Sequence, residues 1–330
     1  MSTKKDDEPT QIGNLLGNVV PQQVQRLAAA TSKPKGEGKA KAKKLTRADN
    51  ALIEAAVDIA SNEYDTDDMA FTHSVLCQVG LPRSKVEGRE FMRQSGDAWV
   101  NVQAGWLDEG NGPVLQPIPY GVMPRLALAW VSTYAVRHNT REIPIGDSAA
   151  EFLSLMGLDD QGARYNTLRK QMHALAACRL QLGFKGRTFN GQPVEQFDAW
   201  IANKEIQQRA LWPGVMKLGD SYYNDLMEYA VPLDNRALMA LKGSALALDI
   251  YAWLAHRLHR LSGKPYNLRW RPLKEQFGQE YTGEWADKDF KRAFVQALNK
   301  VLAVYPQAKV KTVTGGLQLI ASPPPIKPKG

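Results

Sequence analysis

Apolar residues recur along this chain with two periods, and the changes between them divide it into elements. Leu52, Ala55, Ala56 and Ile59 fall at helical spacing, which predicts a first ordered helix over Thr46 to Ala60. The rest of the chain is arranged around a stretch running from Pro119 to Trp130 and on to Ser148. Pro119, Gly121 and Pro124 keep its beginning irregular, and Pro124 suits a first helical turn. Leu126, Leu128, Ala129, Trp130, Val131 and Ala135 then make a helix that is apolar on most sides. Such a helix belongs in a core, and this one is too short to cross a bilayer. Arg141 to Gly146 reads as a short strand. Asp147-Ser148 reads as the N-cap of a helix over Ala149 to Met156, closed by Gly157. Tyr165, Leu168, Met172 and Leu175 form the stripe of the next helix, Arg164 to Cys178. Asn166, Arg169, Lys170 and His173 take its opposite face.

Strand patterns fill the intervals. Val75 to Val79 reads as a strand. Trp99 to Ala104 alternates, the turn signal Gly110-Asn111-Gly112-Pro113 follows, and a strand over Val114 to Ile118 completes a hairpin. Cys178 to Phe184 is a strand that Lys185-Gly186-Arg187 and Asn190-Gly191 turn, with Val194 to Phe197 returning. Further on, Ser244 to Leu261 is a long helix, Asn267 to Trp270 a short strand and Arg271 to Phe277 a short helix. Asp287 to Tyr305 is an amphipathic helix with the stripe Phe290, Phe294, Leu298, Val301, Leu302 and Tyr305. Lys309 to Val313 and Leu317 to Ile320 are strands joined at Thr314-Gly315-Gly316. Twice, then, the order is helix, short strand, helix, amphipathic helix, hairpin, which is the order of a winged helix. The expected fold is α+β and mainly helical, with two winged-helix domains carrying β-hairpin wings, 46–205 and 206–321. Lys204 to Arg209 and Trp212-Pro213-Gly214 mark the boundary. A disordered basic tail, 1–45, precedes the domains, and a flexible Pro-rich tail, 322–330, follows them.

Charge adds a partner class. The 330 residues carry a net +8, as a polyanion binder would. Residues 1–47 hold ten Lys/Arg and four Asp/Glu, so they supply +6 and leave only +2 for the body, whose basic patches must be local. The linker-like Ser32 to Lys44 reads either as a solubilising tail or as non-specific phosphate attraction. Cys77 and Cys178 have neither metal-ligand spacing nor a disulfide framework, and the N-terminus has no apolar signal-peptide core. A cytoplasmic, non-membrane protein is expected.

The run Pro-Tyr-Gly-x-x-Pro-Arg-Leu-x-Leu-Ala-Trp from Pro119, then Arg-Glu-Ile-x-Ile-Gly-Asp-Ser from Arg141, then Glu151-Phe152-Leu153 and Met156-Gly157-Leu158, resembles the plasmid-encoded replication initiator (RepA) family. The resemblance extends from about Gly88 to about Ile320. It implies paired winged-helix units that bind repeated double-stranded DNA sites at a plasmid origin, open or bend the duplex and recruit host replication proteins. It also implies monomers at the origin and a homodimer on the protein's own promoter, with dimer contacts often in the first domain. The residues that carry it are mostly structural.

The best candidates for DNA contact are Lys288, Lys291, Arg292, Gln296 and Asn299 on the second amphipathic helix, with Lys309 and Lys311 on the hairpin after it. Lys and Arg reach guanine or phosphate, and Gln and Asn can read adenine. The bland alternative is a solvated helix face. Neighbouring charge favours contact, since residues 242–274 hold seven Lys/Arg against one acid, Asp249. Arg164, Asn166, Arg169, Lys170 and His173 form a weaker copy, with Lys185 and Arg187 on its hairpin. His256 and His259 sit three apart without a third ligand nearby and read as packing or basic surface. Tyr222-Tyr223 reads as core or turn aromatics rather than as a nicking nucleophile. Gly36-Glu37-Gly38-Lys39 is linker and not a phosphate loop. No catalytic residues, metal or cofactor are expected. A winged-helix transcriptional regulator or autorepressor remains the alternative, and a catalytic nickase or primase the less favoured one.

Overall fold

A computed structural model describes residues 46–159, 163–197 and 214–327. The tail 1–45, the expected boundary (Lys204 to Arg209 with Trp212-Pro213) and residues 328–330 lie outside the described residues. The fold is mixed α+β. Helix α1, Arg47–Ser61, begins at a capping box in which Thr46 and Asp49 satisfy each other's backbone N–H. Strand β1, Met69–His73, leads into α2, Ser74–Gln78. Strands β2, Glu90–Ser95, and β3, Ala98–Gln103, precede the short β4, Trp106–Asp108, and β5, Pro113–Leu115. The central helix α3, Val122–His138, follows, then β6, Glu142–Pro144, α4, Ala149–Leu155, and α5, Ala163–Ala177. Strands β7, Arg179–Phe184, β8, Arg187–Gly191, β9, Val194–Phe197, and β10, Val215–Leu218, come next. Beyond them lie α6, Asp220–Tyr229, β11, Ala230–Asp234, α7, Asn235–Leu241, and α8, Ala245–Leu258. The described chain ends with β12, Tyr266–Arg269, α9, Trp270–Phe277, α10, Ala286–Val304, β13, Lys309–Val313, and β14, Gly316–Ile320.

The central helix is as apolar as its sequence requires: Leu126, Ala127, Leu128, Val131 and Ala135 are all buried. Its ends are set by backbone only certain residues adopt, Gly121 at φ 83° and Asn139 in the left-handed region at φ 50°. Ser148 caps α4 by accepting the Glu151 N–H, and Gly157, at φ 68°, closes it. The helix–strand–helix–helix–hairpin order occurs twice among the described residues, first over α3 to β8 and again over α8 to β14. The sheets differ, however. In the second run the short strand joins the hairpin, giving the antiparallel order β12-β14-β13. In the first, β6 pairs with β10 in the order β6-β10-β9, and the hairpin is extended by two earlier strands as β2-β3-β7-β8.

Several local expectations are corrected. Val75 to Val79 is not a strand, because His73 accepts the Val75 N–H and starts the short helix α2, and so brief an apolar run does not set its own period. The turn at Gly110 to Pro113 joins β4 to β5, while β3 pairs with β2 and β7. The β7–β8 hairpin turns at Lys185-Gly186, both at positive φ (48° and 79°), and Val194 to Phe197 pairs with β10 instead of returning to it. The Pro-rich end is not a free tail over 322–327. Ile326 is fully buried, Tyr305 donates to the Pro323 carbonyl at 2.7 Å, and the Lys327 N–H donates to the Tyr64 hydroxyl at 3.2 Å.

Contacts cross from the N-terminal half of the chain to the C-terminal half. Strand β1 pairs with β11, from Met69 opposite Asp234 to His73 opposite Ala230, and α1 packs on α7 and α10. The strongest tie is ionic. From α3, Arg125 donates to both oxygens of Asp249 on α8, at 2.6 and 2.9 Å, and to the carbonyls of Leu81, Pro82 and Gly121. Arg93 on β2 is 1% exposed and donates to Glu280 at 2.6 Å and to the Gly80 and Leu81 carbonyls. Arg83 reaches Glu280 and the Phe277 carbonyl. Burial lowers the Arg93 pKa, and Glu280 works against that shift. At Gly80 a Cβ would stand 2.7 Å from Asp249 Oδ1, so this close approach requires glycine. Asp249→Ala leaves the Arg125 guanidinium buried without its acid. A loss of about 3 kcal/mol or more is expected from urea unfolding, against little change for an exposed control such as Lys311→Ala.

Candidate nucleic-acid interface

Helix α10 separates its two faces cleanly. Phe290, Phe294, Leu298, Val301 and Leu302 are buried, each side chain worth about 1.5–3 kcal/mol relative to exposure. This face packs on α8, α1, α7 and α9. Lys288, Lys291, Arg292, Gln296 and Asn299 are all exposed. Lys288 lies over the Trp285 ring at 5.3 Å and Lys291 over Trp270 at 5.4 Å, while Arg292 pairs with Asp289 at 2.9 Å. Such exposed contacts hold by about 1 kcal/mol or less, so these cations can be redirected at small cost. On β13, Lys309 and Lys311 are two residues apart, share one face and are exposed. Neither has an ion-pair partner among the described residues.

The aromatic component of this surface did not show in the residue pattern. Trp285 is 60% exposed just before α10, and Tyr266 is 45% exposed on β12, beneath the Arg257 guanidinium at 5.0 Å. Trp and Tyr at helix and strand boundaries read as core from composition alone. The only sequence signal for their exposure is the density of Lys and Arg around them.

The copy on α5 is different. Asn166 and Lys170 are exposed and Arg169 is half-buried, but Arg164 forms an ion pair with Asp159. His173 is corrected from the outer face to the interior. It is 2% exposed, with Nδ1 3.3 Å from Glu109 and its ring edge-on to Phe197. The reason is that α5 packs against α3, α4, β4 and β9, so from Gln171 onward it has no outer face. Burial lowers the His173 pKa against the pull of Glu109. Burial also works to raise Glu109, but hydrogen bonds from Gln116 and His173 hold it below the usual carboxylate range. On the hairpin, Lys185 is exposed over the Phe184 ring, whereas Arg187 turns back to donate to the Tyr229 hydroxyl at 2.9 Å.

The residues weighed for other chemistry have structural surroundings. Tyr222 is buried, and burial pushes its hydroxyl up to about 12. Cys77 and Cys178 are free and buried, and burial pushes the Cys178 thiol up to about 12. His256 is 5% exposed, and its pKa is held down to about 3 by burial first, then by Arg260, His259 and Arg257. Among the described residues, no three His, Cys, Asp or Glu side chains gather as a metal site, and no helix is long and apolar enough to cross a membrane.

Residues 118–271 match the family model described as plasmid encoded RepA protein. No curated protein matches the chain. Among solved structures, it is similar to a selenomethionine derivative of domains 2 and 3 of RctB, with 13% identity and a TM-score of 0.46, over 72% of this chain and 88% of that one. A second crystal structure of RctB domains 2–3 has 14% identity and a TM-score of 0.43, over 73% of this chain and 85% of that one.

Two measurements follow from these surroundings. The double substitution Lys291→Ala/Arg292→Ala changes urea stability by no more than about 0.5 kcal/mol, because neither side chain is buried. His256 binds its proton near 6.5 when unfolded but near 3 when folded. The stability linked to it is therefore complete above pH 6.5 and is lost as pH falls toward 3. Between pH 7 and pH 5 this amounts to about 1–2 kcal/mol. His256→Leu removes the titration, and its stability curve over that interval is flatter.

Proposed function

We propose that this chain, whose residues 118–271 match the plasmid-encoded RepA family model, is a cytoplasmic replication initiator that binds repeated duplex sites at a plasmid origin and acts by binding rather than by catalysis. The observation that carries the reading is the charge placement on the second element run. The cations of α10 and β13 are exposed and held by weak contacts or by none, those of α10 on a helix whose other face is fully packed. With α10 as recognition helix and β13–β14 as wing, the run would meet a duplex as a winged helix does. Lys288, Lys291, Arg292, Lys309 and Lys311 supply phosphate contacts, and Gln296 and Asn299 supply base-edge readers. Asn166, Arg169, Lys170 and Arg164 on α5 form the secondary contact, in the half of the chain where a dimer surface is also expected.

Binding through two such units lets added contacts offset the cost of bending the duplex, which is a few kcal/mol. Opened DNA at the origin then serves the host replication proteins that this chain recruits. Footprinting on DNA surrounding its own gene, at two salt concentrations, tests this. Regularly spaced protected repeats are expected, weakening steeply with salt. The Lys291→Ala/Arg292→Ala variant binds more weakly, with a salt slope lower by about 2. A plasmid carrying only those repeats replicates only when the chain is supplied, which a transcriptional regulator would not achieve. Absence of a discrete footprint at either salt overturns the reading.

A further inference from the structure

A cavity of about 720 Å³ lies between the C-terminal end of α8 and the hairpin β7–β8, closed by α2 and α6. That is the size of a small-molecule site. No residue of α10 or β13 lines it, so it is separate from the surface argued to meet DNA.

His256 is the informative part of its wall. The side chain is more than nine-tenths buried, and its Nε2 has no hydrogen-bond partner among the described residues. A buried polar atom in that condition needs an explanation, and a bound group is one. The surroundings say which kind. Arg260 lines the cavity one helical turn beyond His256 and has no ion pair among the described residues. Arg260, His259 and Arg257 together disfavour a proton on His256. Cationic charge without an acid therefore gathers at this end. The α6 wall is built differently. There Asp225, 2.7 Å from His73 Nε2, and Glu228 offer acceptor oxygens. Phe189 and Tyr229 also line the cavity, Tyr229 held by Arg187 through its hydroxyl and over its ring at 5.4 Å, and Arg187 lies 3.9 Å from both Asp225 and Glu228.

An anion-binding group, acceptor oxygens and aromatic rings lining one cavity match one class of molecule. We propose that the cavity binds a nucleoside phosphate, with its phosphate on Arg260 and the His256 Nε2–H, its ribose hydroxyls toward Asp225 and Glu228, and its base against Phe189 and Tyr229. Charge-assisted hydrogen bonds fix the phosphate and stacking fixes the base. The walls come from both halves of the chain, so the ligand stabilises their junction by mass action. The proposal stands independently of DNA binding.

The test is calorimetric titration of the full chain with AMP, using inorganic phosphate and adenosine as half-ligands. Saturable one-to-one binding of AMP is expected, with each half-ligand weaker by about tenfold or more. Arg260→Ala weakens AMP by about tenfold or more. Tyr229→Ala weakens AMP but leaves inorganic phosphate unchanged, and Lys291→Ala/Arg292→Ala leaves both unchanged. Circular dichroism establishes that each variant is folded. The proposal is overturned by no saturable AMP binding at millimolar concentration, by full affinity in both Arg260→Ala and Tyr229→Ala, or by phosphate binding as tightly as AMP. Loss of AMP binding in the Lys291→Ala/Arg292→Ala variant overturns it too, because the phosphate would then lie on α10.

Discussion

A guanidinium taken out of water has to be answered by fixed partners, and three of them meet in this fold. Arg83, Arg93 and Arg125 converge on Asp249, Glu280 and the carbonyls of residues 80–82. The partners come from β2, α3, α8 and the turn after α9, so the group is complete only when both halves of the chain have folded together. Desolvating these ions costs several kcal/mol each unless every bond is made. The arrangement therefore rewards one geometry and penalises partial ones. The apolar core agrees with it, running as one cluster from Leu52 to Leu319 through both element runs. Whatever each run does at its surface, the two are held as one object.

The two runs share their element order and differ in how they use charge. In the first, the amphipathic helix is covered from Gln171 onward, Arg164 pairs with Asp159, His173 turns in to Glu109, and Asn166 and Lys170 are what it leaves exposed. In the second, α10 is covered on one side only, and its cations point away with little holding them. The physical distinction is packing, since a helix enclosed by α3, α4, β4 and β9 over its second half keeps only a short outer row of donors at its start. Sequence composition gave both helices similar residues. Only the neighbours decide which row remains available to an anion.

Where periodicity was long, the structure was legible in the residues. The buried stripe of α10, the near-uniform apolarity of α3, the Ser148 cap and the Gly157 stop all follow from spacing and capping chemistry. The β13–β14 hairpin follows from Thr314-Gly315-Gly316. Short apolar runs were not legible: Val75 to Val79 has too few residues to express a period, and the cap from His73 makes it helical. Strand partners were not legible either. The pairing of β6 with β10 and of β1 with β11 depends on residues far apart in sequence, where alternation says which face is buried but not which strand lies beside it. The α10 and β13 candidates were readable as types in a pattern, and they are exposed, as both a DNA-contact row and a solvated face would be. His173 was misplaced because one stripe does not reveal a second covered face, and the exposed Trp285 was missed because its size suggests burial.

The glycine at position 80 carries a consequence for how this protein can change over time. Its missing Cβ is the space that Asp249 occupies, and Asp249 in turn holds Arg125. Asp249 needs the space that Gly80 leaves and Arg125 needs Asp249, although the three sit in distant parts of the chain. Enlarging Gly80 or removing the Asp249 carboxylate is therefore opposed unless the others move in step. A recombination event that exchanged only one half for a divergent relative's would join incompatible members of this trio. Lineages of this fold are thus expected to inherit the two halves as a matched pair, and to vary most freely on the surfaces that the trio does not reach.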